Sequence, residues 1–509
     1  MPVSPQDAGV DPAEFLAYLR CREEAWLARR EGGAAPAGPA DRLREADEQR
    51  VFPLARAFLA GGDATALFGE DGELTFDEDY AVPGRWACRA DAVFRPVGGG
   101  PVTLIRFATA AARRGPDGSP AAGPEQLFDL AYRRFVLTAC GTAVGNCGLV
   151  SLRAAYRQAG DRPAAAELFA YQDLTALLYR ACGRGGETYA DLVVREGLEA
   201  PSFLSGPAPA PWAFTSCANG ASCRWLQRAV ELPSPSVFDL PRVGRRRLDA
   251  LLASRVLDLR AVPDYADLTA RQRRSVEVAR TGTAHRDRAG IASRLRGLRY
   301  PLSFLDLATR HAALPPGPGA RPCQRLPFQY ALHVRRRPGA ALEHRAAQVV
   351  DLAAGAETLL GRLAADLGPG DGTVVVWDAA RAVAFVAALV AMRPRYAGLL
   401  AALEARVWDL GGVFRDGLVE VPSGRGGASR EVVLGELARG VPLAELPIGD
   451  PDRAELAWVR LGDGAFDVDD AEDVRRDLRA YGEACSLGMA HLLDWVAHDP
   501  ADAGRRIRR

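Results

Sequence analysis

PLSFLDLATR, residues 301–310, reads as a strand whose apolar run carries a single carboxylate, Asp306. A lone aspartate on an otherwise apolar strand has little structural reason to be there, so it is a candidate functional group. Working outward, Phe328 to Val334 alternates like a second strand, and Ala353 to Leu367 has helical spacing. Thr373 to Trp377 is a short strand after a Gly-Asp-Gly turn, Arg381 to Met392 an apolar helix, and the final helix is expected over 471–496. Strands first and helices afterwards predict an α/β domain over residues 298–509.

Residues 1–232 follow a related plan. Phe15, Leu16, Leu19, Trp26 and Leu27 mark an apolar helical stripe, and a second helix is expected over 49–59. Trp86 to Phe94 and Val102 to Phe107 flank the Gly98–Gly100 turn as a β-hairpin, followed by an amphipathic helix over 124–138 and a strand over 147–152. Between the two regions, residues 233–297 read as an Arg-rich helical connector. VFDLPRVGRRRLDALLASRVLDLRAVP, from Val237, resembles a helix-hairpin-helix, in which a tight glycine turn offers backbone N–H groups to a phosphate. Arg245, Arg246, Arg247, Arg271, Arg273 and Arg274 are therefore candidate nucleic-acid contacts, although such arginines equally form a solvated face.

Composition narrows the chemistry. Among 509 residues all 64 basic side chains are arginine, which excludes any mechanism needing a lysine amine. The 64 acidic residues balance them, so no overall field steers the chain to nucleic acid or an anionic membrane. The N-terminus lacks the pattern of a signal peptide, the longest apolar run is too short to span a bilayer, and nine scattered cysteines do not suggest a disulfide framework. A cytoplasmic protein without a membrane partner is expected.

PLSFLDLAT from Pro301, RPCQRLPFQYALH from Arg321, VVVWDAARAVAF from Val374 and LRAYGEACSLGMAHLL from Leu478 together resemble the bacterial family catalogued as domain of unknown function 2779. The resemblance implies a C-terminal DnaQ-like exonuclease domain of the RNase H fold. It also implies an N-terminal restriction-endonuclease-like, RecB-like domain of the PD-(D/E)XK class. Hydrolysis with two metal ions needs several carboxylates converging on cations about 3.5–4 Å apart. In the C-terminal domain the family pattern begins Asp-x-Glu, where this chain has Asp306 and Ala308. The next acidic position falls on Ala382, and the third on Cys485, a poor ligand for hard magnesium.

In the N-terminal domain Asp91 matches the first acidic position, though an aspartate at a strand end equally serves the adjoining turn. Arg106 replaces the expected glutamate and Ala108 the expected lysine, while Arg133 stands where a helix motif usually carries glutamine. A fixed cation at a ligand position repels the metal. The resemblance further implies an iron–sulfur cluster held by one N-terminal cysteine and three beyond the nuclease core. Cys21, Cys217 and Cys223 fit three of those places and the fourth falls near Ala229, so a cluster or a zinc ion there is expected as a remnant.

The resulting expectation is a catalytically degenerate nuclease-like protein that binds DNA, RNA or a protein partner. Two alternatives stand beside it. One is an active magnesium- or manganese-dependent 3′–5′ exonuclease using displaced carboxylates such as Asp306, Asp378, Asp409 and Glu483; the other is an interaction module with no affinity for nucleic acid.

Overall fold

The hairpin expected between Trp86 and Phe107 lies at the centre of the first of two five-stranded sheets. A computed structural model describes residues 9–31, 38–183, 185–210, 223–264, 267–422, 429–438, 440–441 and 443–498 of this α/β chain. The chain divides into two compact units, one comprising residues 1–231 with 313–315 and 321–323, the other comprising the rest. Residues 233–297 belong to the second unit. Among the described residues no helix is long and apolar enough to cross a membrane.

The first unit opens with helices α1 (Pro12–Arg20), α2 (Arg22–Arg30) and α3 (Pro39–Ala60). Strands β1 (Gly72–Val82), β2 (Trp86–Pro96) and β3 (Val102–Ala111) form an antiparallel meander. Helix α4 (Pro124–Ala139) then returns the chain so that β4 (Val144–Leu152) pairs parallel to β3, and β5 (Phe169–Asp173) pairs antiparallel to β4. Helices α5 (Tyr189–Ser205) and α6 (Arg224–Ala229) follow.

Both sheet faces are buried. Leu104 and Leu149 pack with α1 and α4 through Phe15, Leu130 and Tyr132, whereas Ile105, Phe107 and Val150 pack under Val51, Ala55 and Leu59 of α3. Burial on both faces is why β3 reads as a continuous apolar run rather than an alternating one. On β2 the buried face changes at Asp91, since Cys88 and Ala90 join the first cluster and Ala92 and Phe94 the second.

The second unit is built on β6 (Leu302–Ala312), β7 (Gln324–Arg335) and β8 (Leu342–Gln348), again an antiparallel meander. After α7 (Leu352–Leu367), strand β9 (Val374–Val376) pairs parallel to β6. After α8 (Ala379–Met392), strand β10 (Val407–Asp409) pairs parallel to β9, giving the order β8-β7-β6-β9-β10. Helices α9 (Arg430–Leu437), α10 (Pro451–Gly462) and α11 (Val468–Ala497) complete the unit.

Helix α11 lies against the face of the sheet that carries Asp306, Gln329 and His333. Gln329 Nε2 donates to the Leu478 carbonyl at 2.6 Å, and His333 Nδ1 lies 2.9 Å from Ser486 Oγ. The approach requires glycine at 482, because a Cβ there would sit 2.5 Å from Gln329 Nε2 and 3.2 Å from the Ala331 Cβ.

Candidate functional site

Two strand carboxylates stand out, Asp91 in the first unit and Asp306 in the second, and an arginine side chain pairs with each. In the second unit Asp306 lies mid-strand on β6, opposite Ala331 of β7, and is only 4% exposed. Arg430, at the first turn of α9 behind the N-cap Ser429, donates through Nη1 to Asp306 Oδ1. The same guanidinium reaches Glu431 Oε1 through Nε at 3.1 Å and Nη2 at 2.9 Å, and Tyr481 OH through Nη2 at 2.9 Å.

One planar cation thus serves two carboxylates and a phenol, a geometry suited to the guanidinium fork and denied to an ammonium. Burial pushes the Asp306 carboxyl up, and Arg430 counters it. Arg430 stays protonated against its own burial, held by Asp306. Burial would likewise raise Glu431, but Arg430 outweighs it and holds that carboxyl low.

The other positions at which acidic ligands are expected supply none. Ala308 and Ala382 are buried apolar residues of the core. Cys485 is fully buried one helical turn beyond Tyr481, and burial pushes its thiol up, so it is a neutral S–H rather than a thiolate at neutral pH. The displaced carboxylates are engaged elsewhere. Asp378 caps α8 by accepting from Arg381 N at 3.0 Å. Asp409 accepts from Gly412 N at 2.8 Å and pairs with Arg415 at 2.6 Å, and Glu483 faces His344 at 3.8 Å.

The first unit repeats the pattern with different residues. Asp91 Oδ2 accepts from the Phe107 backbone N–H at 2.7 Å and from Arg106 Nη1. Arg106 Nε donates to Asp129 Oδ2 at 2.9 Å, and Arg133 Nε, one turn along α4, donates to the same carboxylate at 3.1 Å. Arg133 is tied in turn to the Arg89 carbonyl. Burial alone would raise the Asp129 carboxyl, but the two guanidinium groups outweigh it and hold it below the ordinary range.

Two arginines and two aspartates make this cluster neutral as a unit. It opens on a cleft of about 1070 Å³ whose walls include Arg106, Ala108, Thr109, Asp129 and Arg133, together with Glu48. Arg20, Arg44 and Arg89 also line it, but so do Asp11, Asp41, Asp79 and Glu125, so acid and base alternate around the rim.

Two of the three cysteines expected to hold metal come together. Cys21 sits at the junction of α1 and α2, Cys223 caps α6, and their sulfurs lie within 4.8 Å of each other and of a Glu24 carboxylate oxygen. Among the described residues this is the only such group of three or more metal-ligating side chains. Cys217 lies outside the described residues. Glu24, which carries no signature in the sequence, brings an oxygen donor, itself paired with Arg224 at 3.3 Å, to a place where the sequence predicts thiolates. Two sulfurs and a carboxylate suit a mononuclear zinc ion, whereas structural iron–sulfur clusters draw on cysteine thiolates.

The arginines of the expected nucleic-acid face separate into different roles. Arg271 is turned inward, bonded to Glu420 at 3.1 Å and to the Arg415 carbonyl at 2.8 Å. Arg273 donates to the Leu268 carbonyl at 2.6 Å, and Arg274 Nε is buried. Arg245 pairs with Asp249 at 3.7 Å, while Arg246 and Arg247 line a shallow pocket of about 560 Å³ with Gly244 and Asp267. The glycine turn and two of its three arginines therefore share one surface. The decisive residue of the second unit, Arg430, had no signature in the sequence, because it follows a Gly/Ser/Arg-rich stretch that reads as loop.

No curated protein and no solved structure matches the chain. Residues 303–429 match the family model described as domain of unknown function DUF2779, a segment that contains Asp306, Ala308 and Ala382 and stops one residue short of Arg430.

Proposed function

We propose that this is a nuclease-like protein in which internal arginines stand where catalytic metal ions would bind, and that it acts by binding rather than by hydrolysis. The observation that carries the reading is the buried contact between Arg430 and Asp306. A divalent cation would have to displace a guanidinium that is already hydrogen-bonded to Asp306, Glu431 and Tyr481. Arg106 stands in the same relation to Asp91 and Asp129.

The sheet topologies support the two ancestries. Three antiparallel strands followed by two parallel ones suit an RNase H-like domain, and the meander joined through α4 to a parallel fourth strand suits a restriction-endonuclease-like domain. The corner of Cys21, Glu24 and Cys223 would hold zinc as a structural ion, fastening the N-terminal helices to the segment after the nuclease-like core.

The test is incubation with labelled single-stranded DNA and RNA in manganese, beside Asp306→Ala. No cleavage above a buffer control is expected; cleavage abolished by the substitution overturns the proposal. A filter-binding series in salt then identifies the kind of partner. Affinity that falls steeply with salt indicates phosphate contacts, and no binding at low salt leaves a protein partner.

A further inference from the structure

The C-terminal end of edge strand β8 opens on a pocket of about 310 Å³, at the lower end of small-ligand sites. Its polar lining consists of Gln348, which ends β8, Arg362 from α7, and Arg475 and Arg479, one turn apart on α11; the remaining wall is alanine and valine. None of the described lining side chains is acidic. Arg475 and Arg479 share a single carboxylate, Glu472, at 3.4 and 2.8 Å, and that glutamate is 59% exposed. Arg362 has no carboxylate within ion-pair distance among the described residues. Three guanidinium groups against one carboxylate leave two positive charges around the cavity.

A second, independent feature points the same way. Gln348 Nε2 is buried with no hydrogen-bond acceptor. Buried amide donors are almost always satisfied, and Gln348 lines the pocket, so its unsatisfied amide can serve an acceptor placed there. Elsewhere in this unit arginines are matched closely by acids, as at Arg430 with Asp306 and Arg310 with Glu455.

We propose that this pocket is an oxyanion site that takes a phosphate group, either as free phosphate or as one phosphate of a nucleic-acid backbone. Arg362, Arg475 and Arg479 supply the charge and Gln348 a directed N–H. The site stands independently of the nuclease-like reading, since it uses none of the residues around Asp306.

The full-length protein is titrated with sodium phosphate at constant ionic strength and followed by calorimetry and thermal shift, with chloride as the control. Saturable phosphate binding is expected in the wild type, weakened about tenfold or more in Arg362→Gln and in Arg479→Gln, the loss of one charge-assisted hydrogen bond. Arg362 has no ion pair to lose, so Arg362→Gln keeps the phosphate-free melting temperature and separates binding from folding. Competition by a single-stranded oligonucleotide assigns the pocket to backbone phosphate, and phosphate binding without competition assigns it to the free ion. Absence of saturable phosphate binding in the wild type, or equal affinity in the Arg362→Gln protein, overturns the proposal.

Discussion

Replacing Arg430 with methionine keeps most of the side-chain volume and removes the cation that faces Asp306. The carboxylate is 4% exposed, so its charge is left in the interior without its principal partner. Breaking a buried pair from one side costs about 3–5 kcal/mol, a large fraction of the 5–15 kcal/mol that holds a typical domain. The deficit should depend on pH in a definite direction. Burial already pushes the Asp306 carboxyl above its ordinary value, and without Arg430 it rises further. A carboxyl raised in the folded state destabilises the fold in full above that raised value and progressively less as pH falls from there toward the ordinary 3.8, so the deficit of Arg430→Met shrinks as the solution is acidified toward that value.

Removing the stranded charge should also recover stability, because the cost lies in an uncompensated carboxylate rather than in a lost attraction. Arg430→Met with Asp306→Leu is therefore expected to regain the share of the loss that belongs to Asp306 at pH 7, while Glu431, which loses the same guanidinium, keeps the remainder. Chemical denaturation followed by tryptophan fluorescence and circular dichroism gives both values, read on the transition that shifts. A loss below about 1 kcal/mol in the single variant, or a double variant no more stable than the single one, refutes the claim that this contact organises the site.

Four further outcomes are expected. Arg106→Met, at a cluster beside an open cleft, should cost about 2 kcal/mol, with Arg133 still neutralising part of Asp129, as measured by urea denaturation. Gly482→Ala should cost about 1–3 kcal/mol by driving α11 off Gln329, and Gln329→Ala in the same background should restore part of it. His333 is pushed down to about 4 by burial and by His344 and His491, with Ser486 Oγ as its hydrogen-bond partner. The unfolded state takes up that proton first, so stability should fall between pH 6.5 and 4 by at most about 3 kcal/mol, and His333→Asn should flatten that slope. Purified protein should carry zinc that is lost in Cys21→Ser or Cys223→Ser together with several degrees of melting temperature; visible absorption near that of an iron–sulfur chromophore would contradict this.

Much of the scaffold was legible because the central elements carry the strongest patterns. Trp86–Phe94, Val102–Phe107, Pro301–Leu307 and Phe328–Val334 all lie on strands within two residues of one expected end, and the helices at 124, 353 and 381 follow their apolar stripes. The strands at the sheet edges were missed. β1 reads GELTFDEDYAV and β8 reads LEHRAAQ, both rich in charge, because an edge strand pairs on one side only and uses charge to discourage further pairing. β10 is only three residues long and too short to show a period.

The candidate sites were legible to the extent that they sit on such strands. Asp306 and Asp91 stand out against apolar neighbours, and Arg106 is conspicuous for being a cation inside one. Their partners lie far off in sequence or on helices with ordinary patterns: Asp129 and Arg133 alternate with apolar residues as any amphipathic helix does, and Arg430 is 124 residues from Asp306. Glu24 follows another glutamate on a charged helix, so only the convergence of α2 with α6 distinguishes it.

The guanidinium on Asp306 arrives with the polypeptide itself. An ion must be scavenged from the surroundings, competes with other ions, and leaves when a stronger chelator is offered; a side chain is present in one copy per molecule from the moment of synthesis. The core around Asp306 should therefore fold and persist unchanged in EDTA, and the concentration of free divalent metal in the cell has no purchase on it.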